Sequence, residues 1–213
     1  MPAWFQLVAW AGMALVLFRA WPALRAWART ADEESVRILF ATTLVLTGMR
    51  WFNTSVLSGL PLHFLGAGIA TLMFGPWRAC WVMAVVSLGG VLLGASWNGL
   101  AADFLASGAL PVAVIWWTGR LAAPFLPRNI FTWIFVNAFA ASALGMSASM
   151  LVRAALAAWV AGADTSAYLG VTPMLAFGEA FFTGAAMSFV VVYRPTWCST
   201  FDDDEHLLPR RPM

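Results

Sequence analysis

The chain has 213 residues, 62% of them apolar and only 10% charged, with a mean hydropathy of +0.79. A typical soluble domain is about 45–50% apolar and about 25% charged, so a water-soluble fold of this length could not hide the excess. Its twelve basic residues are all arginine and give a net charge of only +2, scattered between apolar stretches, which argues against a nucleic-acid surface.

Lipid is therefore the expected solvent for most of the chain. A barrel would need short alternating strands. The apolar stretches here are unbroken and rich in Ala, Leu and Gly, so the expected fold is all-α, a polytopic integral membrane helical bundle of about seven transmembrane helices. The first span runs from Ala3 to about Trp21, followed by a polar stretch with Arg25, Arg29, Asp32, Glu33 and Glu34. The second runs from about Val36 to Met49 and meets Arg50-Trp51-Phe52-Asn53-Thr54. A third candidate, Phe64 to Phe74, is too short to cross as a straight helix and reads as borrowing preceding residues or as a re-entrant piece. Gly75-Pro76-Trp77-Arg78 is a turn at a membrane face. The fourth span is Ala79 to Ser96, and the fifth is Leu100 to Ala122, with Asp103 near its start. The sixth, Ile130 to Val160, is long enough to protrude, tilt or break, and the seventh is Pro173 to Tyr193. Residues 1–193 thus form one transmembrane bundle and residues 194–213 a short polar tail, acidic at Asp202 to Glu205.

Orientation follows from the arginines, which concentrate in cytoplasmic connections. With the N-terminus outside, Arg19, Arg25, Arg29, Arg37, Arg78, Arg120, Arg128, Arg194, Arg210 and Arg211 fall inside, and only Arg50 and Arg153 outside. The tail is then cytoplasmic, and His63, Asn98 and Asp103 share the outer side. Cys80 and Cys198 lie far apart on the reducing side, so no disulfide is expected. The start, Met-Pro-Ala-Trp, lacks the charged region of a cleavable signal peptide.

Ionisable groups at membrane depth are costly and call for an explanation. His63 precedes the Gly-rich segment Gly66-Ala67-Gly68; it reads either as a transition-metal ligand or as an interfacial histidine satisfied by one hydrogen bond. Asp103 is either a carboxylate ligand at the mouth or a partner for Arg50. Glu179, in the Gly-flanked segment Gly178 to Gly184, ligates a cation or bonds to backbone or to Arg153. Arg153 is an outer-face anchor or the partner of Glu179. The ten methionines show no Met-x-x-Met cluster beside His63, so they read as apolar filler, not a copper site. No Ser, His and Asp set in motif-like context and no phosphate-binding loop appears, so the chain is not read as an enzyme, and ATP-driven work would need a separate ATPase.

The segment His63-Phe-Leu-Gly-Ala-Gly-Ile-Ala-Thr-Leu-Met-Phe-Gly-Pro76 resembles one in the CbiM/NikM family, the substrate-binding membrane component of cobalt and nickel energy-coupling-factor ABC transporters. His63, Gly66, Gly68, Phe74, Gly75 and Pro76 fall at the family's positions. Gly178-Glu179-Ala180-Phe181-Phe182-Thr183 is similar to the family's Glu-Gly-x-x-Thr element, followed by a basic-Pro exit at Arg194-Pro195, and Asn98-Gly99-Leu100 is a looser match. The resemblance implies capture of a divalent transition-metal ion (cobalt, nickel or zinc) at the outer face of a bacterial inner membrane. It also implies two kinds of partner, a coupling membrane subunit and cytoplasmic ATPase subunits, and no covalent cofactor. In that family the N-terminal amine, a His at position 2 and the loop His hold the metal; here position 2 is Pro2, so only His63 carries over. Asn53, Asn98 and Asp103 are the oxygen donors expected to complete a site with His63. The competing expectation is a non-transporting accessory or assembly factor of the same fold, metallochaperone-like in action.

Overall fold

The computed structural model describes residues 2–50, 54–57, 60–62, 64–162 and 164–202. His63 and Asn53 therefore lie outside the described residues. Seven helices can be followed among those described: α1 (Ala3–Thr30), α2 (Glu33–Met49), α3 (Ala67–Phe74), α4 (Pro76–Leu92), α5 (Trp97–Ala122), α6 (Ile130–Val160) and α7 (Ser166–Tyr193). Each corresponds to one expected span, but they are not seven full crossings. Four of them, α1, α5, α6 and α7, are long and apolar enough to cross a membrane. The 17 residues of α4 give about 25 Å and the 8 of α3 about 12 Å, against a hydrocarbon core of about 30 Å.

The all-α expectation needs one amendment. Between α2 and α3 a short antiparallel hairpin pairs β1 (Thr54–Leu57) with β2 (Leu60–Leu62), Thr54 opposite Leu62 and Leu57 opposite Leu60. The reason is local: Thr54 and Val56 are β-branched, Ser58-Gly59 supplies a turn signal, and Pro61 cannot continue a helix.

Helix starts follow capping chemistry. The Asp32 carboxylate accepts the Ser35 N–H at 3.1 Å to begin α2, and Asn129 Oδ1 accepts the Thr132 N–H at 2.8 Å to begin α6. Asp164 accepts from both the N–H and the hydroxyl of Ser166 ahead of α7. These serine hydrogen bonds hold the Asp32 and Asp164 carboxyls below their ordinary range. Gly162, at φ 60°, closes α6 in the left-handed conformation glycine tolerates.

The exterior is apolar. Phe18 is 76% exposed and Phe125 86%, with Leu7, Phe40, Phe131 and Phe189 comparably open. A solvated protein does not carry apolar surface on this scale; a lipid-embedded one does. The centre is taken by α3, all eight of whose residues are buried, against α4, α5, α6 and α7. The bundle has two distinct ends. At one, Trp4 and Phe5 at the start of α1 meet Trp159 near the end of α6. At the other, Arg78 lies over Trp27, and Trp197 Nε1 donates to Glu34 at 2.8 Å, joining the end of α1, the starts of α2 and α4 and the exit of α7.

Candidate functional site

The short helix α3 is the piece the rest of the molecule grips. Its entry is clamped by Glu179, which is 1% exposed in the middle of α7: Oε2 accepts the Leu65 N–H at 2.9 Å and Oε1 the Gly66 N–H at 2.8 Å. Those N–H groups precede a helix start and would otherwise be buried without partners, a cost the carboxylate removes. Of the two structural partners read from sequence for Glu179, backbone or Arg153, the structure shows backbone.

The glycines of the His63–Pro76 segment now have physical reasons. Gly66 sits at φ 65°, and a Cβ there would run into Leu46 of α2. At Gly68 a Cβ would collide with Ser142 Oγ and come within 2.8 Å of Thr183 Oγ1, so only glycine lets α3 approach α6 and α7 this closely. Gly75, at φ 76°, makes the corner into α4, where Pro76 takes the first helical position. Gly178 gives way to Phe64, which also stacks with Phe182 at 6.3 Å between centroids. The chain on the C-terminal side of His63 is therefore fixed by a ring and two hydrogen bonds within three residues.

The exit of α3 is held just as firmly, by residues that sequence reading assigned to a polar tail. Thr200 Oγ1 donates to the Leu72 carbonyl at 2.7 Å, Cys198 Sγ to the same oxygen at 3.2 Å, and the Ser199 N–H to the Met73 carbonyl at 2.9 Å. Trp133 Nε1 donates to the Thr200 carbonyl at 3.3 Å, and its ring meets Phe201 edge-on. Cys198 and Phe201 are buried, so the packed bundle continues to Phe201. Burial pushes the Cys198 thiol up from its ordinary pKa. Beside this cap opens a cavity of about 510 Å³, a vestibule lined among others by Thr71, Arg120, Arg128, Asn137 and Thr200.

At the opposite end Asp103 stands between two arginines. Its Oδ2 accepts from Arg50 at 2.6 Å, and Oδ1 faces Arg153 at 3.6 Å. Arg50 also donates to the Val86 carbonyl and Ser87 Oγ. The ends of α2 and α6 are thereby tied to the start of α5, which passes into a wide π-helical turn at Phe104–Ala109 just below. Arg153, read as an anchor or as Glu179's partner, faces Asp103 instead. Asn98 is exposed, with its N–H on Ser96 Oγ at 3.2 Å. Among the described residues no group of three or more His, Cys, Asp or Glu side chains gathers as metal ligands would.

The structure thus brings together Asp103, Arg50 and Arg153, and separately Glu179 with the residues following His63. The roles of Ser142, Thr183 and Cys198–Thr200 went unread in the sequence. The hydroxyl at 183 was visible as part of the Gly178–Thr183 element, but nothing local paired it with Gly68.

No curated protein and no solved structure matches the chain. A family model does, that of the cobalt uptake substrate-specific transmembrane region, CbiM, over residues 1–197 of the 213. With this match along nearly its whole length, and four helices long and apolar enough to cross a membrane, the chain belongs to the CbiM family of cobalt uptake membrane components.

Proposed function

We propose that the protein is the substrate-capture membrane component of an energy-coupling-factor-type ABC importer for a divalent transition-metal ion, cobalt or nickel, in a bacterial inner membrane. The observation that carries this reading is the Glu179 clamp, because it holds the backbone at Leu65 and Gly66, two and three residues after His63. His63 is the nitrogen ligand in this account, with Asn53 and Asn98 as its oxygen donors. Asp103 has its carboxylate committed to Arg50 and Arg153, so its role is to shape the mouth. The N-terminus lies outside, which puts the arginine-bearing helix ends and the vestibule on the cytoplasmic side. A coupling membrane subunit and ATPase subunits supply the energy that the chain itself has no means to harvest.

Cobalt uptake by cells producing the chain together with its transporter subunits tests this. His63→Ala is expected to reduce uptake at least tenfold with the protein still inserted at normal level. Uptake unchanged by that substitution contradicts the reading.

Pro2 favours a second reading. Where the CbiM/NikM resemblance calls for a His, the chain has a ring with neither imidazole nor N–H. A non-transporting accessory factor of the same fold accommodates that difference. Such a factor co-purifies with a client membrane complex and not with an ATPase.

A further inference from the structure

Metal capture leaves the vestibule beside the α3 cap without a use. Its volume of about 510 Å³ falls in the range of about 300–1,000 Å³ that small-molecule sites occupy. It opens between the end of α5, the connection 123–129 and the first turns of α6, and Thr71 of α3 and Thr200 complete its lining.

The charge of that lining is one-sided. Arg120 and Arg128 belong to it, and no Asp or Glu does. Thr132 and Asn137 bring hydroxyl and amide donors. Asn129 has committed its Oδ1 to the Thr132 N–H, so what its amide has left is again a donor. Arg120 lies over the Trp116 ring, its guanidinium carbon 4.8 Å from the centroid. That contact positions the cation but supplies no oxygen to its five N–H groups. No carboxylate among the described residues pairs with it. Cations and donors around one space suit an oxyanion, and a planar guanidinium fork suits phosphate oxygens in particular.

The surroundings indicate which phosphate. Leu121, Phe125 and Phe131, close in sequence to the two arginines, are 66%, 86% and 70% exposed. A free anion gains nothing from such an apolar rim, whereas a phospholipid lays its acyl chains along it. Basic hollows between crossing helices, at the face where arginines collect, recognise anionic headgroups in this way.

We propose that the vestibule binds the phosphate of an anionic phospholipid through Arg120 and Arg128, with the acyl chains against Leu121, Phe125 and Phe131. The bound headgroup joins the end of α5 to the start of α6 beside Thr200, the residue that caps α3. Nothing in this site needs the metal ion, so it stands or falls apart from the capture reading.

The test is native mass spectrometry of the full chain in detergent, offered phosphatidylglycerol, phosphatidylcholine or inorganic phosphate separately. Phosphatidylglycerol is expected to be retained at least fivefold over phosphatidylcholine and to raise Tm, as a ligand of the folded state does. Equal retention of the two lipids overturns the proposal, and this comparison needs no variant. Combining Arg120→Gln with Arg128→Gln is expected to lower phosphatidylglycerol retention at least fivefold. Arg25→Gln, at an exposed arginine of α1 outside the vestibule, is expected to leave it unchanged. An equal loss with Arg25→Gln shows only general attraction to a basic face and overturns the site. Retention of inorganic phosphate without phosphatidylglycerol overturns the lipid assignment. The acidic run Asp202 to Glu205 begins two residues after Thr200 and is the chain's own competitor. Retention that appears only when Asp203→Asn, Asp204→Asn and Glu205→Gln are combined gives the vestibule to the tail and overturns the proposal.

Discussion

Glu179 is unusual among buried carboxylates because its partners are backbone N–H groups and not a basic side chain. Glu179→Ala strands both donors at the entry to α3 and is expected to cost about 2–4 kcal/mol, read as a lowered Tm in detergent. Glu179→Gln keeps one acceptor and costs less. A finding that both substitutions are neutral contradicts the clamp. Glycine positions offer a paired comparison. At Gly68 a methyl group collides with Ser142 and Thr183, so Gly68→Ala is expected to lose roughly 1–3 kcal/mol. At Gly170, in the same bundle, a Cβ meets nothing within 4 Å, and Gly170→Ala is expected to fall within about 0.5 kcal/mol of wild type.

At the scale of elements, α3 is a half-length helix fixed at both ends by distant chain, Glu179 at its start and Cys198 to Thr200 at its finish. Cys198 reports on the second attachment. Its thiol donates to the Leu72 carbonyl, and its burial raises its pKa, so at pH 7 it is protonated and shielded. Alkylation is expected to be slow in the folded protein and to accelerate on unfolding; fast labelling of the native chain contradicts the cap. Asp103 tests the other end. Asp103→Asn leaves Arg50 and Arg153 without their carboxylate, and with these side chains 10–23% exposed a loss of about 1–3 kcal/mol is expected, with cobalt binding retained. Loss of cobalt binding at unchanged Tm would instead make Asp103 a ligand. The helix caps respond to acid. The folded-state pKa values of Asp32 and Asp164 lie below 3.8, so their stabilisation is present above that value and lost as pH falls through the lowered ones. Circular dichroism below about pH 4 is expected to show fraying at the starts of α2 and α7.

For the whole molecule, hydropathy located each of the seven helices among the described residues, because lipid forces each apolar stretch to satisfy its own backbone. It placed α2, α5 and α7 to within a few residues at most ends and ended α1 early, at Trp21, since a membrane-length criterion does not see that the helix runs on to Thr30. The short Phe64–Phe74 stretch was read as incomplete from length alone, and it is. Which side chains meet across the bundle was not legible. Glu179 and Leu65 are 114 residues apart, and Cys198 and Leu72 are 126 apart. No local pattern encodes such pairs; they follow from α3 sitting at the centre. Likewise Ser142 and Thr183 look like ordinary small residues until Gly68 is placed between them.

The central claim is that this family member captures a divalent metal ion through His63. The most direct measurement is element analysis of the purified, cobalt-loaded protein after removal of free metal, wild type beside His63→Ala. The account predicts stoichiometric cobalt in the wild type and its loss in the variant at unchanged Tm. A wild-type protein that retains no cobalt, or a His63→Ala variant that retains as much, contradicts it.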